Sequence, residues 1–231
     1  MKVSDTRTAS LIGVAVDPSP AQPPQPTTLA GRFVTLVPLD PDAHGEALYE
    51  GSHGEDREQL WCYLFDGPYP NREAFDVRLR QMASTRDPLF FSILAQPSGI
   101  PVGYASYLRI EPAHRCIEVG SILFTPALQR TPGATEAMYL MARHIFDDLG
   151  YRRYEWKCNS LNEPSRRAAL RLGFTFEGIF RQHMIIKGRN RDTAWYAMLD
   201  SEWPARKANF ERWLAPANFD GAGLQRKSLA E

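Results

Sequence analysis

The stretch CIEVGSILFTPALQRTPGATEAMYLMARHIFDDLG, residues 116–150, decides the fold. It opens on Cys116 to Phe124, where β-branched and apolar residues make a strand. A short loop ends in Thr131-Pro132, a good N-cap and first-turn pair for a helix. From Pro132 to Leu149 the residues Ala137, Leu140, Met141, His144, Ile145 and Leu149 fall on one stripe, the pattern of a helix docked on a sheet. Gly150 stands at the C′ position that ends such a helix.

Working outward, Tyr154, Trp156 and Cys158 alternate with Arg153, Glu155 and Lys157, which reads as a half-buried strand. Asn162 to Leu172 reads as a helix capped by Asn162 and stopped by Gly173. Two strands follow, Phe174 to Ile186 and Asp192 to Leu199, joined by a turn over Lys187-Gly188-Arg189-Asn190. On the other side lie strands Leu89 to Ala95 and Val102 to Arg109, a helix over Asn71 to Thr85 and shorter helices over Asp40–Glu50 and Asp56–Tyr63. Arg32 to Pro38 is the first strand. The order places helices on both sides of one mixed sheet, an α/β layout. Pro18, Pro20, Pro23, Pro24 and Pro26 mark residues 1–30 as an extended arm. The domain is expected over residues 31–200, with a polar helix and tail over 201–231.

Bulk chemistry narrows the function classes. Twenty-seven basic and 27 acidic side chains leave a formal net charge of zero, which argues against nucleic acid or an anionic membrane as partner. The three cysteines are too few and too widely spaced for a disulfide framework or a zinc site, and are expected to be core thiols. None of the five histidines has metal-ligand spacing, so no metal is expected. No apolar run reaches the roughly 18 residues of a membrane span. The segment from Lys2 and Arg7 to Val16 is too short for a secretory signal, which makes a cytoplasmic protein the default.

A strand, a loop and a helix N-terminus together form an anion site, because the first helical N–H groups and the positive dipole end point at the loop. Gly133 and Ala134 are small, and Arg130 could add a charged contact. Here Gln129-Arg130-Thr131-Pro132-Gly133-Ala134-Thr135-Glu136-Ala137 resembles the pyrophosphate loop of GNAT acetyltransferases, and most closely the branch that includes the ribosomal-protein N-terminal acetyltransferases. Pro132 departs from it, standing where the middle glycine belongs and removing one N–H donor. A second segment, Asn159-Ser160-Leu161-Asn162-Glu163-Pro164-Ser165 with Gly173-Phe174 beyond it, resembles the family's helix that borders the pantetheine arm.

The resemblance covers residues 31–200 and implies a mixed, mostly antiparallel sheet with helices on both faces. It implies acetyl-CoA as co-substrate, held by Ile122, Phe124, Gln129, Arg130, Thr131, Gly133, Ala134, Thr135, Asn162 and Ser165. Glu118 would be the base that accepts the amine proton, and Ser165 would stabilise the departing thiolate in place of a tyrosine that Ala169 replaces. A backbone N–H at Ser121 or Ile122 would polarise the carbonyl. On the residues alone, Asn162 remains equally a cap, Ser165 a first-turn residue and Glu118 a structural carboxylate. The aromatic run Trp61, Tyr63, Phe65 and Tyr69, with Tyr104, is the candidate acceptor pocket for a cationic amine. The implied activity is acetyl transfer to a primary amine of a small molecule, an amino-acid derivative or a protein N-terminus. Two other readings stay open: an acyl-CoA-binding module without turnover, and a ribosome- or RNA-associated protein using the basic hairpin 181–191. A homodimer is also left open.

Overall fold

The computed structural model describes residues 13–221 and 223–229. Lys2, Arg7 and the rest of the arm up to residue 12 lie outside them. Alternation along the strands decides what each face meets. Leu36, Phe91, Ile93, Ala105, Tyr107, Ile117, Val119, Tyr154 and Trp156 point to one side and form the main core. The opposite side buries Phe90, Tyr104 and Leu123 in a second cluster with Leu48, Trp61, Phe75, Leu79 and Met82. A sheet apolar on both faces needs two helical layers, and the chain supplies them.

The elements are β1 (Leu29–Ala30), β2 (Val34–Pro38), α1 (Pro41–Ser52), α2 (Arg57–Trp61), α3 (Arg72–Ser84), β3 (Leu89–Ala95), β4 (Pro101–Glu111), β5 (Cys116–Phe124), α4 (Pro132–Arg143), β6 (Arg153–Asn159), α5 (Glu163–Arg171), β7 (Thr175–Ile186), β8 (Arg189–Leu199) and α6 (Trp203–Leu214). The sheet order is β1-β2-β3-β4-β5-β6-β8-β7. All neighbours pair antiparallel except β5 and β6, which are parallel because α4 crosses back between them.

Three expectations need correcting, and the course of the arm is defined from residue 13 on. The long amphipathic helix ends at Arg143 and continues as one π turn over His144–Asp148, closed by Leu149 N–H donating to the His144 carbonyl at 3.1 Å. The β7–β8 connection is two residues, not four: Lys187 and Gly188 both have positive φ (49° and 70°), the primed turn that a right-twisted hairpin prefers. The arm is tied to its own domain: Ala21 and Gln22 donate to the Pro112 and Leu149 carbonyls at 3.0 Å each, and Leu29–Ala30 add a strand to the sheet. Of the three cysteines only Cys158 is buried; Cys116 is half-buried and Cys62 exposed.

One contact ties the first strands to α4. Glu136 is buried, and its carboxylate accepts the backbone N–H groups of Arg32, Phe33 and Val34 at 2.9, 2.6 and 2.9 Å. The approach is so close that a Cβ on Gly31 would sit 2.6 Å from the Glu136 carboxyl carbon.

Candidate active site

Parallel strands in a sheet centre are normally zipped along their length and buried. Here β5 and β6 pair only from Cys116–Arg153 to Val119–Trp156. Beyond that point β5 continues to Phe124 beside β4, and β6 continues to Asn159 beside β8. The strands therefore part, and Gly120–Phe124 faces Lys157–Asn159 across an open wedge. Ser121 marks the divergence with φ of 48°, opposite a register shift between Tyr104 and Ser106. Such a bulge turns peptide groups out of the ladder. Gly120, Ser121, Ile122 and Phe124 are accordingly half-exposed in the middle of the sheet.

The strand end leads directly into the loop and N-terminus of α4. Gln129 donates its side-chain amide to the Phe124 carbonyl at 2.8 Å, and Thr131 donates its hydroxyl to the Leu128 carbonyl at 2.7 Å. Thr131 also accepts the Ala134 N–H, capping α4. Arg130, with φ of 60°, is exposed at the turn. Gly133 is buried for a packing reason: a Cβ there would lie 2.9 Å from Val34 Cγ1. The buried Thr135 hydroxyl accepts from Arg171 at 3.0 Å. What Gly133, Ala134 and Thr135 offer an anion is thus backbone at a positive helix end, with Pro132 contributing no donor.

On the other wall, Asn162 Oδ1 accepts the Ser165 N–H at 3.2 Å and caps α5. Ser165 Oγ accepts the Trp156 indole N–H at 3.0 Å. A serine hydroxyl has one donor and two lone pairs, so this bond leaves its proton to be donated elsewhere, and the Cys158 sulfur is one acceptor within its reach. Ala169 is fully buried. Removing the cap by Asn162→Ala is expected to cost about 1 kcal/mol, read as a lower urea midpoint at unchanged slope; an unchanged midpoint would mean that the cap carries no stability.

The second face of the sheet next to the wedge carries a charge chain that the sequence pattern conceals. Lys157 Nζ, on a side chain only 3% exposed, donates to Glu118 Oε2 at 2.8 Å and Glu155 Oε2 at 2.6 Å. Its ammonium also lies 4.0 Å from the centre of the Trp195 ring. Arg109 Nε reaches the same Glu118 oxygen at 3.1 Å. Arg153 joins Glu155 to Glu177 at 2.6 and 2.5 Å. Burial pushes the Glu118 carboxyl above its usual value, with Lys157 and Arg109 pulling it back. Glu155 is also subject to desolvation, but hydrogen bonds from Lys157 and Arg153 hold it below the usual value. The second Glu118 oxygen, Oε1, lies 3.4 Å from where a Cβ would stand on Gly120, at the wedge's apex. A cavity of about 660 Å³ opens on this face, bordered by Asp87, Arg109, Glu111, Glu155, Lys157 and Trp195.

The acceptor candidates divide. Trp61 and Tyr104 are buried in the second core, Trp61 donating its indole N–H to the Ser52 carbonyl at 2.9 Å. Neither presents a surface, because both are needed to seat α1–α3 on the sheet. Tyr63 is half-buried and bridges to the far wall, donating its hydroxyl to the Leu161 carbonyl at 3.0 Å. Lys187 on the β7–β8 turn donates to the Trp61 carbonyl at 2.8 Å, and Arg191 lies 5.1 Å from the centre of the Phe65 ring. The α2 segment and the hairpin therefore meet on the side opposite α4. Among the described residues no group of histidine, cysteine or carboxylate side chains could hold a metal, and no helix is long and apolar enough to cross a membrane.

Residues 34–175 match the acetyltransferase (GNAT) domain family. The fold is that of a GCN5-related N-acetyltransferase from Brucella melitensis, with TM-score 0.90, 50% identity and coverage of 92% of this chain and 96% of that one. A ribosomal-protein-serine acetyltransferase of Escherichia coli (strain K12) is 30% identical over 102 residues, 44% of this chain and 56% of the relative. An uncharacterised N-acetyltransferase of Bacillus subtilis (strain 168), YoaA, is 30% identical over 98 residues, 42% of this chain and 55% of the relative. The match thus spans little more than half the length of these curated relatives.

Proposed function

The chain belongs to the GNAT acetyltransferase family, and on that premise we propose that it transfers an acetyl group from acetyl-CoA to a primary amine by direct attack in a ternary complex. The observation that carries this reading is the wedge between β5 and β6, with half-exposed backbone at Ser121 and Ile122 and a helix N-terminus at its end. Acetyl-CoA supplies a thioester whose C–S bond breaks as the amine nitrogen forms the new C–N bond.

The residues divide the remaining work. Ile122 and Phe124 line the wedge, while Gln129, Arg130 and the amides of Gly133, Ala134 and Thr135 receive the pyrophosphate. A backbone N–H at Ser121 or Ile122 stabilises charge on the carbonyl oxygen. Amines are mostly protonated at neutral pH, so the attacking nitrogen must lose a proton. Glu118 receives it at Oε1, which is turned to the apex while Oε2 is fixed by Lys157 and Arg109. A carboxyl raised by burial is a stronger base than a solvated one, and such a group contributes roughly 10²–10⁴ in rate. Ser165 turns its hydroxyl proton from the Cys158 sulfur towards the departing thiolate, with Asn162 holding the start of α5 beside the pantetheine arm.

Titration calorimetry with acetyl-CoA, alongside dephospho-CoA, tests the donor side. Micromolar binding followed by release of free thiol on adding amines is the expected result. Absence of binding at millimolar acetyl-CoA would reject the reading. Binding without thiol release across amines would instead mark an acyl-CoA-binding module.

A further inference from the structure

Among the described residues, one buried cation near the wedge makes no ion pair. Arg191 is 7% exposed, yet among the described residues its guanidinium makes one hydrogen bond, Nε to Thr193 Oγ1 at 3.1 Å, and no ion pair. Its guanidinium carbon lies over the Phe65 ring, 5.1 Å from the centre. Buried charges are normally paired, because desolvating a lone guanidinium is costly. The cations of the charge chain are already committed: Arg109 to Glu118, Lys157 to Glu118 and Glu155, and Arg153 to Glu155 and Glu177; Lys187 on the turn is held by the Trp61 carbonyl. His183 does not add a second cation. Its Nδ1 shares a hydrogen bond with Thr193 Oγ1 at 2.9 Å, and burial together with Arg109, Arg191 and Lys157 disfavours its protonated form.

The position explains what the free charge could serve. Arg191 and Thr193 follow one another on the same side of β8, on the wedge side of Trp195. Thr193 pairs with Asn159, the last residue of the β6 wall. Glu118 is close enough for its charge to act on Arg191. The guanidinium thus lies between the proposed base and the meeting point of hairpin and α2 segment, on the face opposite the helix that starts at Thr131. An oriented, desolvated guanidinium presents two parallel N–H donors, the geometry that takes a carboxylate in a bidentate pair.

Resting on the transferase reading, we infer that the acceptor is an amine that carries a carboxylate, and that Arg191 binds that carboxylate while Glu118 faces the amine. The acceptor class is then a free amino acid or a short peptide with a carboxylate near its amine, rather than a simple alkylamine or a polyamine. The charge on Arg191, which makes no direct ion pair among the described residues, matches a monoanion.

The test compares matched acceptors that differ only in the carboxylate: α-amino acids, their amides and the corresponding decarboxylated amines, each followed by thiol release from acetyl-CoA. The wild-type protein is expected to favour the acids by roughly 10- to 100-fold in kcat/KM, the worth of a charged hydrogen bond pair. Arg191→Met should bring that ratio below about 3-fold, and Arg191→Lys should restore part of it, because charge is kept while the bidentate fork is lost. Calorimetric affinity for acetyl-CoA should be the same in all three proteins, and melting curves show that the variants are folded. The inference is overturned if wild-type protein uses acids and amides equally, if it binds acetyl-CoA but acetylates no carboxylate-bearing amine, or if Arg191→Met weakens acetyl-CoA itself. Failure of the wild-type protein to bind acetyl-CoA would reject the transferase reading instead.

Discussion

Lys157→Met should lower the folding stability by roughly 3–5 kcal/mol, because it strips the shared counter-ion from two carboxylates that remain buried. Lys157 is the only partner that Glu118 and Glu155 have in common among the described residues, and the two sit directly opposite each other in the β5–β6 register. Like charges across a ladder repel, and with methionine between them only Arg109 on Glu118 and Arg153 on Glu155 remain to offset that repulsion. For a chain of this size the loss corresponds to a melting temperature lower by roughly 10 °C. The pH dependence identifies the cause. Glu118 is already raised by burial, and removal of Lys157 raises it further. A carboxyl whose folded value lies above its unfolded value binds more protons in the native state, so stability falls as pH rises between the two values. The deficit of the variant should therefore shrink on acidification from neutral pH towards the unfolded carboxylate range. Adding Glu118→Gln should recover part of the loss, since it removes the stranded charge. A deficit independent of pH, with no recovery in the double variant, would mean that the lost contact with the Trp195 ring, not the charges, carries the cost.

How much of this was legible in the sequence depends on what each pattern encodes. Every strand and helix between Val34 and Leu214 is foreshadowed by periodicity, because burial on one face writes itself into spacing. The π turn is not, since the stripe through His144 and Leu149 is the same for an α-helix that gains a residue. The loop and α5 motifs were visible, yet Gly133 and Asn162 turn out to have local packing and capping duties as well. The charge chain was hidden for a specific reason. Arg153, Glu155 and Lys157 alternate with apolar residues, and alternation normally means a solvated face. Only pairing with β5 places Glu118 against Glu155, and that pairing is set by a crossover of some 30 residues. Arg191 gave no signal either, because a basic hairpin is ordinarily a solvated one.

The second large effect is expected at Glu136, in the middle of the motif that resembles the pyrophosphate loop. Glu136→Ala removes the acceptor of three backbone N–H groups at once, those of Arg32, Phe33 and Val34. Each buried donor left unmade costs about 1–3 kcal/mol, and entry of water lowers the sum, so a loss of roughly 3–5 kcal/mol is expected in a denaturant titration. Glu136→Gln should recover little, since one of the carboxylate oxygens that the three donors share becomes an N–H group facing a donor. Gly31→Ala should cost about 1–3 kcal/mol by overpacking, as its Cβ would come within 2.6 Å of the carboxyl group. The decisive measurement is the double variant. If the collision is with the carboxylate, Gly31→Ala should cost far less in the Glu136→Ala background than in the wild type, a coupling that independent sites would not have. Strict additivity would place the two effects elsewhere. Because Glu136 lies one turn inside α4, the same variants report on function: releasing the 31–34 loop loosens the end of the helix proposed to receive the pyrophosphate. Acetyl-CoA affinity should therefore fall with Glu136→Ala although residue 136 is itself buried away from the wedge, which would make the glutamate of this motif a support for the donor site rather than a part of it.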